Sequence, residues 1–153
     1  MQGYRVPVKF SLYMVYAFCV ALTVISVLLP FLITWYVEER GGDETLPATI
    51  MLTCYPCLPF AAAILISLRR LLKNVLDGLV LGDKNLNLLR VAAIASFAIT
   101  AITVAAGRLY KPFYIIALAS AACGLTFYIV KSILGVLLAE RREKDLAEIE
   151  ETI

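Results

Sequence analysis

The chain has 153 residues, of which 61% are apolar and 17% charged, with a formal net charge of +2 and no histidine. Soluble domains carry about 25% charged residues spread through every helix; here the charges cluster between long uncharged blocks, which excludes an ordinary soluble globule. The small net charge predicts no direct nucleic-acid partner, and the lack of histidine removes the commonest general base, haem ligation by His and His-containing zinc sites.

A bilayer core of about 30 Å needs about 20 helical residues, and backbone groups cannot go unpaired in lipid, so apolar runs of that length must be helices. Four runs qualify: 10–37, 47–68, 88–108 and 112–138. The first follows Arg5 and Lys9 as a secretory leader would. It is far longer than the roughly 7–15 apolar residues of a leader and has no small-residue cleavage site, so it reads as a retained signal-anchor. The short connection from Gly107 to Pro112 folds the last two spans into an antiparallel hairpin, and the acidic stretch from Glu38 to Leu46 does the same for the first two. The expected fold class is an all-α membrane protein. Its four-transmembrane-helix bundle forms a single membrane domain over 1–153, with a linker at 69–87 and a tail at 139–153.

Ten Lys and Arg residues (Arg5, Lys9, Arg69, Arg70, Lys73, Lys84, Arg90, Arg141, Arg142, Lys144) fall on one side of these spans, and Arg40, Arg108 and Lys111 on the other. Positive residues stay cytoplasmic, so the N-terminus, the linker and the C-terminus are expected inside, in a multi-pass protein of the plasma membrane. Trp35, Tyr36, Tyr110 and Tyr114 then mark the outer headgroup level, and Tyr4 and Tyr13 the inner one. Lys131, inside the fourth span, is expected to snorkel to the inner interface. Small residues four apart (Ala92 and Ser96, Ala101 and Ala105, Ser120 and Gly124) allow close helix packing. They predict a compact bundle and are compatible with a homo-oligomer.

The second span contains Cys54-Tyr55-Pro56-Cys57. A Cys-x-x-Cys in a four-helix membrane protein resembles quinone-linked thiol-disulfide oxidoreductases, which makes Cys54 and Cys57 redox candidates. Against that reading, neither outer loop carries the second cysteine pair such enzymes use. Counted from Pro47 at about 1.5 Å per residue, Cys57 lies about 15 Å deep. Residues three apart on a helix hold their Cβ atoms about 5–6 Å apart, beyond the ~3.8 Å of a disulfide. The four cysteines therefore read as small apolar packing residues, with no metal or other cofactor expected. Pro56 and Pro59 remove hydrogen bonds to the carbonyls of Leu52 and Tyr55, which predicts a kink.

At the inner face, Leu68, Leu71, Leu72, Val75 and Leu76 recur at helical spacing opposite Arg69, Arg70, Lys73, Asn74 and Asp77. The second helix thus continues past the bilayer as an amphipathic stretch lying on headgroups or on a protein. Gly78 is the expected stop and Asp83 the expected N-cap of a helix from Lys84. The tail extends the fourth helix, with Arg141, Arg142 and Lys144 near the membrane. Beyond them, 145–153 carries four carboxylates and an apolar stripe of Leu146, Ile149 and Ile153.

The stretch from Leu68 to Gly78, followed by Asn85, Leu86, Asn87, Leu88, Leu89 and Arg90, resembles the small four-span bacterial membrane proteins grouped as domain of unknown function 2975. Gly78, Asn85, Leu89 and Arg90 match in register; where the family carries Phe-Thr, this chain has Leu81 and Gly82. The closing Leu146 to Ile153 stretch is similar to the family's acidic end. The resemblance implies a cytoplasmic partner, such as the helix-turn-helix regulator often encoded beside such proteins, and brings no catalytic residues.

The expected function is non-enzymatic and regulatory, with a cytoplasmic regulatory protein bound through Arg69, Arg70, Leu71, Lys73, Asn85, Arg90, Leu146 and Ile149, and the lipid bilayer as the other partner. Two alternatives are the thiol oxidoreductase and a small immunity or transport-like protein; the absence of carboxylates inside the spans disfavours the last.

Overall fold

The structure is a computed structural model in which residues 5–40, 45–78 and 81–152 are described, with side chains for 10–39, 47–78 and 81–150. Asp43 and Glu44, Tyr4, Leu79, Val80 and Ile153 lie outside the described residues, as do the side chains of Arg5, Lys9 and Arg40. Four helices follow in order: α1 (Arg5–Arg40), α2 (Thr45–Leu76), α3 (Asp83–Gly107) and α4 (Phe113–Thr152). All four are long and apolar enough to cross a membrane, the signature of a multi-pass membrane protein. At 1.5 Å per residue even α3 spans about 37 Å and α4 about 60 Å, so every helix overshoots a 30 Å core.

The surface area makes the same point. A soluble chain of this size would expose about 7,700 Å², whereas this one exposes 11158 Å². The excess carries large apolar side chains such as Phe31, Leu52, Ile115 and Leu118, whose natural solvent is lipid.

Each helix packs on its chain neighbours: α1 on α2, α2 on α3, α3 on α4. Among the described residues α1 and α4 do not meet, so the bundle is open rather than closed into a ring. The α3 helix is its centre. A third of its most apolar stretch is buried, against 6% for α1 and α2. Its buried set, Asn85, Leu89, Ala92, Ala93, Ala95, Ser96, Thr103, Ala106 and Gly107, is nearly all small. In lipid, apolar bulk gives helices no reason to associate, so the helix with the smallest side chains accepts two partners at close range.

The predicted small pairs are borne out at two places and corrected at a third. Ser120 Oγ donates to the Ser96 carbonyl at 2.8 Å across the α3–α4 interface. A Cβ on Gly124 would come within 3.2 Å of the Phe97 ring and 3.3 Å of Ser96 Cβ. Ala92 and Ser96 are buried, but Ala101 and Ala105 are exposed, and Thr103, Ala106 and Gly107 take the packing face instead. The helix rotation set by Ser96 carries Ala101 outward.

Prolines do not break the spans: Pro30 lies inside α1 and Pro56 and Pro59 inside α2, each helix continuing through. The hydroxyl of Thr53, three residues before Pro56, donates to the Thr49 carbonyl at 2.7 Å. Hydroxyls of Thr23, Ser26, Thr34, Ser96, Thr100 and Thr126 likewise bond the carbonyl four residues back, which satisfies them where water is absent.

Candidate functional site

One end of the molecule gathers the N-terminal half of α1, the C-terminal end of α2, the start of α3 and the far half of α4. The opposite end holds aromatic side chains, with Trp35 and Tyr36 of α1, Ile50 of α2 and Tyr110 around one recess. Tyr110 also meets Phe113 edge-on at 5.9 Å. The aromatic residues expected at one headgroup level thus share one end of the fold.

At the linker end, α2 stops where glycine allows it. Gly78 has a φ of +79°, the left-handed conformation that a residue with a Cβ resists, and its N–H bonds the Val75 carbonyl at 3.1 Å. The next helix starts one residue earlier than expected. Gly82 occupies the cap position without a side-chain bond and Asp83 is the first helical residue, so Asp83 acts as a first-turn acid complementing the helix dipole, not as the N-cap. Its carboxylate Oδ2 lies 2.7 Å from Arg142 Nη2 on α4. This ion pair connects the linker to the tail.

The eight candidate partner-binding residues divide three ways. Two are internal. Asn85 is 2% exposed and its Oδ1 accepts a 2.6 Å hydrogen bond from Asn74 Nδ2, so it ties α3 to α2. Leu71 lies half-buried where α2, α3 and α4 converge, around a crevice shared with Ser67, Leu88, Leu89, Ala92 and Phe127. Arg69 is exposed but occupied: its guanidinium sits 4.7 Å from the centroid of the Tyr16 ring on α1, a cation–π contact worth about 0.5–1 kcal/mol at such a position.

The remaining five face outward. Arg70 and Lys73 line a cleft with Asn74, Lys84, Asn87 and Leu88, while Arg90 is exposed on α3. Leu146 and Ile149 are 64% and 57% exposed on the tail, which remains helical to Thr152. The apolar side of the α2 extension is half-buried: Leu76 lines a recess with Leu12, Tyr13 and Tyr16 of α1, and Leu68 and Leu71 line a crevice with residues of α3. That face is thus shared between neighbouring helices and the surroundings, and among the described residues the more exposed apolar stripe is the tail's. Periodicity identifies an apolar face without saying what covers it.

Lys131 takes a different direction from that expected. Its Nζ lies 5.6 Å from the Tyr128 ring centroid, one turn back along α4. Cα–Cβ bonds tilt toward a helix N-terminus, so on α4 that lysine leans away from the linker end and rests on an aromatic face.

Cys54 and Cys57 are free thiols, each half-buried on α2, as is Cys19 on α1, with Cys123 exposed on α4. Among the described residues no three His, Cys, Asp or Glu side chains are grouped to hold a metal. Comparison of the chain with family profiles, with curated proteins and with solved structures gives no match. The functional reading therefore rests on the geometry of the linker end.

Proposed function

We propose that this is a non-enzymatic regulatory protein of the plasma membrane, with its linker and both chain termini on the cytoplasmic side, that holds a cytoplasmic regulatory protein through linker and tail. The orientation follows from the ten-to-three distribution of Lys and Arg under the positive-inside rule. The observation that carries the reading is the Asp83–Arg142 ion pair. It marks where the packing of α3 on α4 sets two segments 59 residues apart side by side on one surface, beyond which Leu146 and Ile149 stand uncovered. Two exposed apolar side chains three apart on a helix, flanked by carboxylates, form the pattern of a helix that lies in a partner's groove. The resemblance of the linker to the four-span bacterial family supports a helix-turn-helix regulator as that partner.

Affinity capture of the intact protein from its native membrane tests the reading. A cytoplasmic regulator is expected to come with it, and to be lost when residues 145–153 are deleted, while the four helices still insert. Recovery of no cytoplasmic protein with either form, with the neighbouring regulator expressed, would overturn it.

A further inference from the structure

We propose that the cleft between the end of α2 and the start of α3 binds the phosphate of an anionic phospholipid headgroup. Arg70, Lys73 and Asn74 from α2 and Lys84, Asn87 and Leu88 from α3 line a cavity of about 380 Å³. On each helix the three residues follow i, i+3, i+4 spacing and so share one face; the two faces meet at the cleft. The Asn74–Asn85 hydrogen bond joins the two helices beside it.

The adjoining recess, which shares Asn74 and Lys84 with the cleft, contains one acid, Asp83. Three cations and two carboxamides line the cleft, and no carboxylate does among the described residues. Like charges gathered this way repel unless an anion stands between them. The acid adjoining Lys84 in sequence, Asp83, has its carboxylate turned to Arg142 at 2.7 Å. Asp77, one turn beyond Lys73, is exposed and does not line the cleft. Arg70 offers a planar fork that matches phosphate oxygens, and the lysines add point charge.

Depth selects a lipid. Lys73 lies five residues beyond the predicted end of the second span at Leu68, about 7.5 Å along the helix, within the headgroup layer flanking the hydrocarbon core. Leu88, at the predicted start of the third span, gives the cleft an apolar wall. Basic pockets between transmembrane helices are suited to phospholipid headgroups. Arg70 and Lys73 are shared with the proposed partner surface, but no tail residue lines the cleft, so the inference does not rest on the partner reading.

The test is native mass spectrometry of the full chain in a neutral detergent with added phosphatidylglycerol or phosphatidylcholine. One saturable phosphatidylglycerol adduct is expected. Lys73→Gln with Lys84→Gln should weaken it about 30-fold, at the usual value of a Lys or Arg charge near an anionic surface. Lys73→Arg with Lys84→Arg should retain it, as should Arg141→Gln with Lys144→Gln, which removes equal charge from the tail. Equal losses in the cleft and tail Gln variants, or competition by inorganic phosphate as strong as by lipid, would overturn the proposal. A second arm uses the unaltered protein: phosphatidylglycerol with a photo-crosslinker on its headgroup should label peptides spanning 70–74 and 84–88. Labelling confined to 139–152 would overturn it as well.

Discussion

Asn74 Nδ2 donates a 2.6 Å hydrogen bond to Asn85 Oδ1, joining the last turns of α2 to the first turn of α3 across eleven residues of chain. Asn85 is almost completely buried, so the bond is formed where water does not compete freely. Asn85→Ala should lower stability by about 1–2 kcal/mol, since it strips a partly buried donor of its partner. The double variant with Asn74→Ala should cost less than the sum of the two singles. Thermal unfolding in detergent, read by circular dichroism, measures both; strict additivity would mean that the two amides do not act together.

At the α3–α4 interface, Ser120→Ala removes a hydrogen bond between helices and is expected to cost about 0.6 kcal/mol, the typical value inside membranes. Gly124→Ile should cost more, about 1–3 kcal/mol, because the added side chain meets Phe97 and the Ser96 Cβ. Gly107→Ala is expected to be milder. Its Cβ would approach the Tyr114 ring at 2.9 Å, but that ring is 47% exposed and can swing outward. Parallel unfolding curves rank the three.

Leu71 and Leu146 belong to the same functional hypothesis and should behave oppositely. Leu71 packs where three helices meet, so Leu71→Asp buries a carboxylate and should impair folding or insertion, whatever its effect on a partner. Leu146→Asp alters an exposed tail position. It should abolish capture of the partner at unchanged expression and monodispersity. Normal capture by Leu146→Asp would remove the tail stripe from the interface.

Topology has its own measurement. Reporter fusions after Gly42 and Tyr110 should read as external, and fusions after Gly78 and Ile153 as cytoplasmic. A cytoplasmic signal at Gly42 would invert the orientation and place the cleft and tail on the wrong side for the proposed partner.

The cysteines are expected to be dispensable. Cys54→Ala with Cys57→Ala should leave expression and phenotype near wild type, the behaviour of packing residues. Loss of a quinone-dependent thiol oxidation in that variant would establish the oxidoreductase alternative instead.

Four helices of spanning length, the glycine that ends α2 and the helical tail were legible in the amino-acid order, because length, apolarity and a left-handed glycine are local properties. The eight candidate residues were legible only as a neighbourhood. The sequence did not reveal that Asn85 is internal, that Leu71 is half-buried in a crevice between helices or that Arg69 rests on Tyr16. Those outcomes depend on how α3 is rotated between α2 and α4. In lipid the rotation leaves little trace in hydrophobic periodicity, since the faces toward lipid and toward a neighbouring helix are both apolar. The choice falls to shape and single hydrogen bonds: Gly124 against Phe97, Ser120 on the Ser96 carbonyl, Asn74 on Asn85. Only the tertiary structure brings these partners together, and with them it turns Asp83 toward Arg142 and leaves three cations facing one cleft.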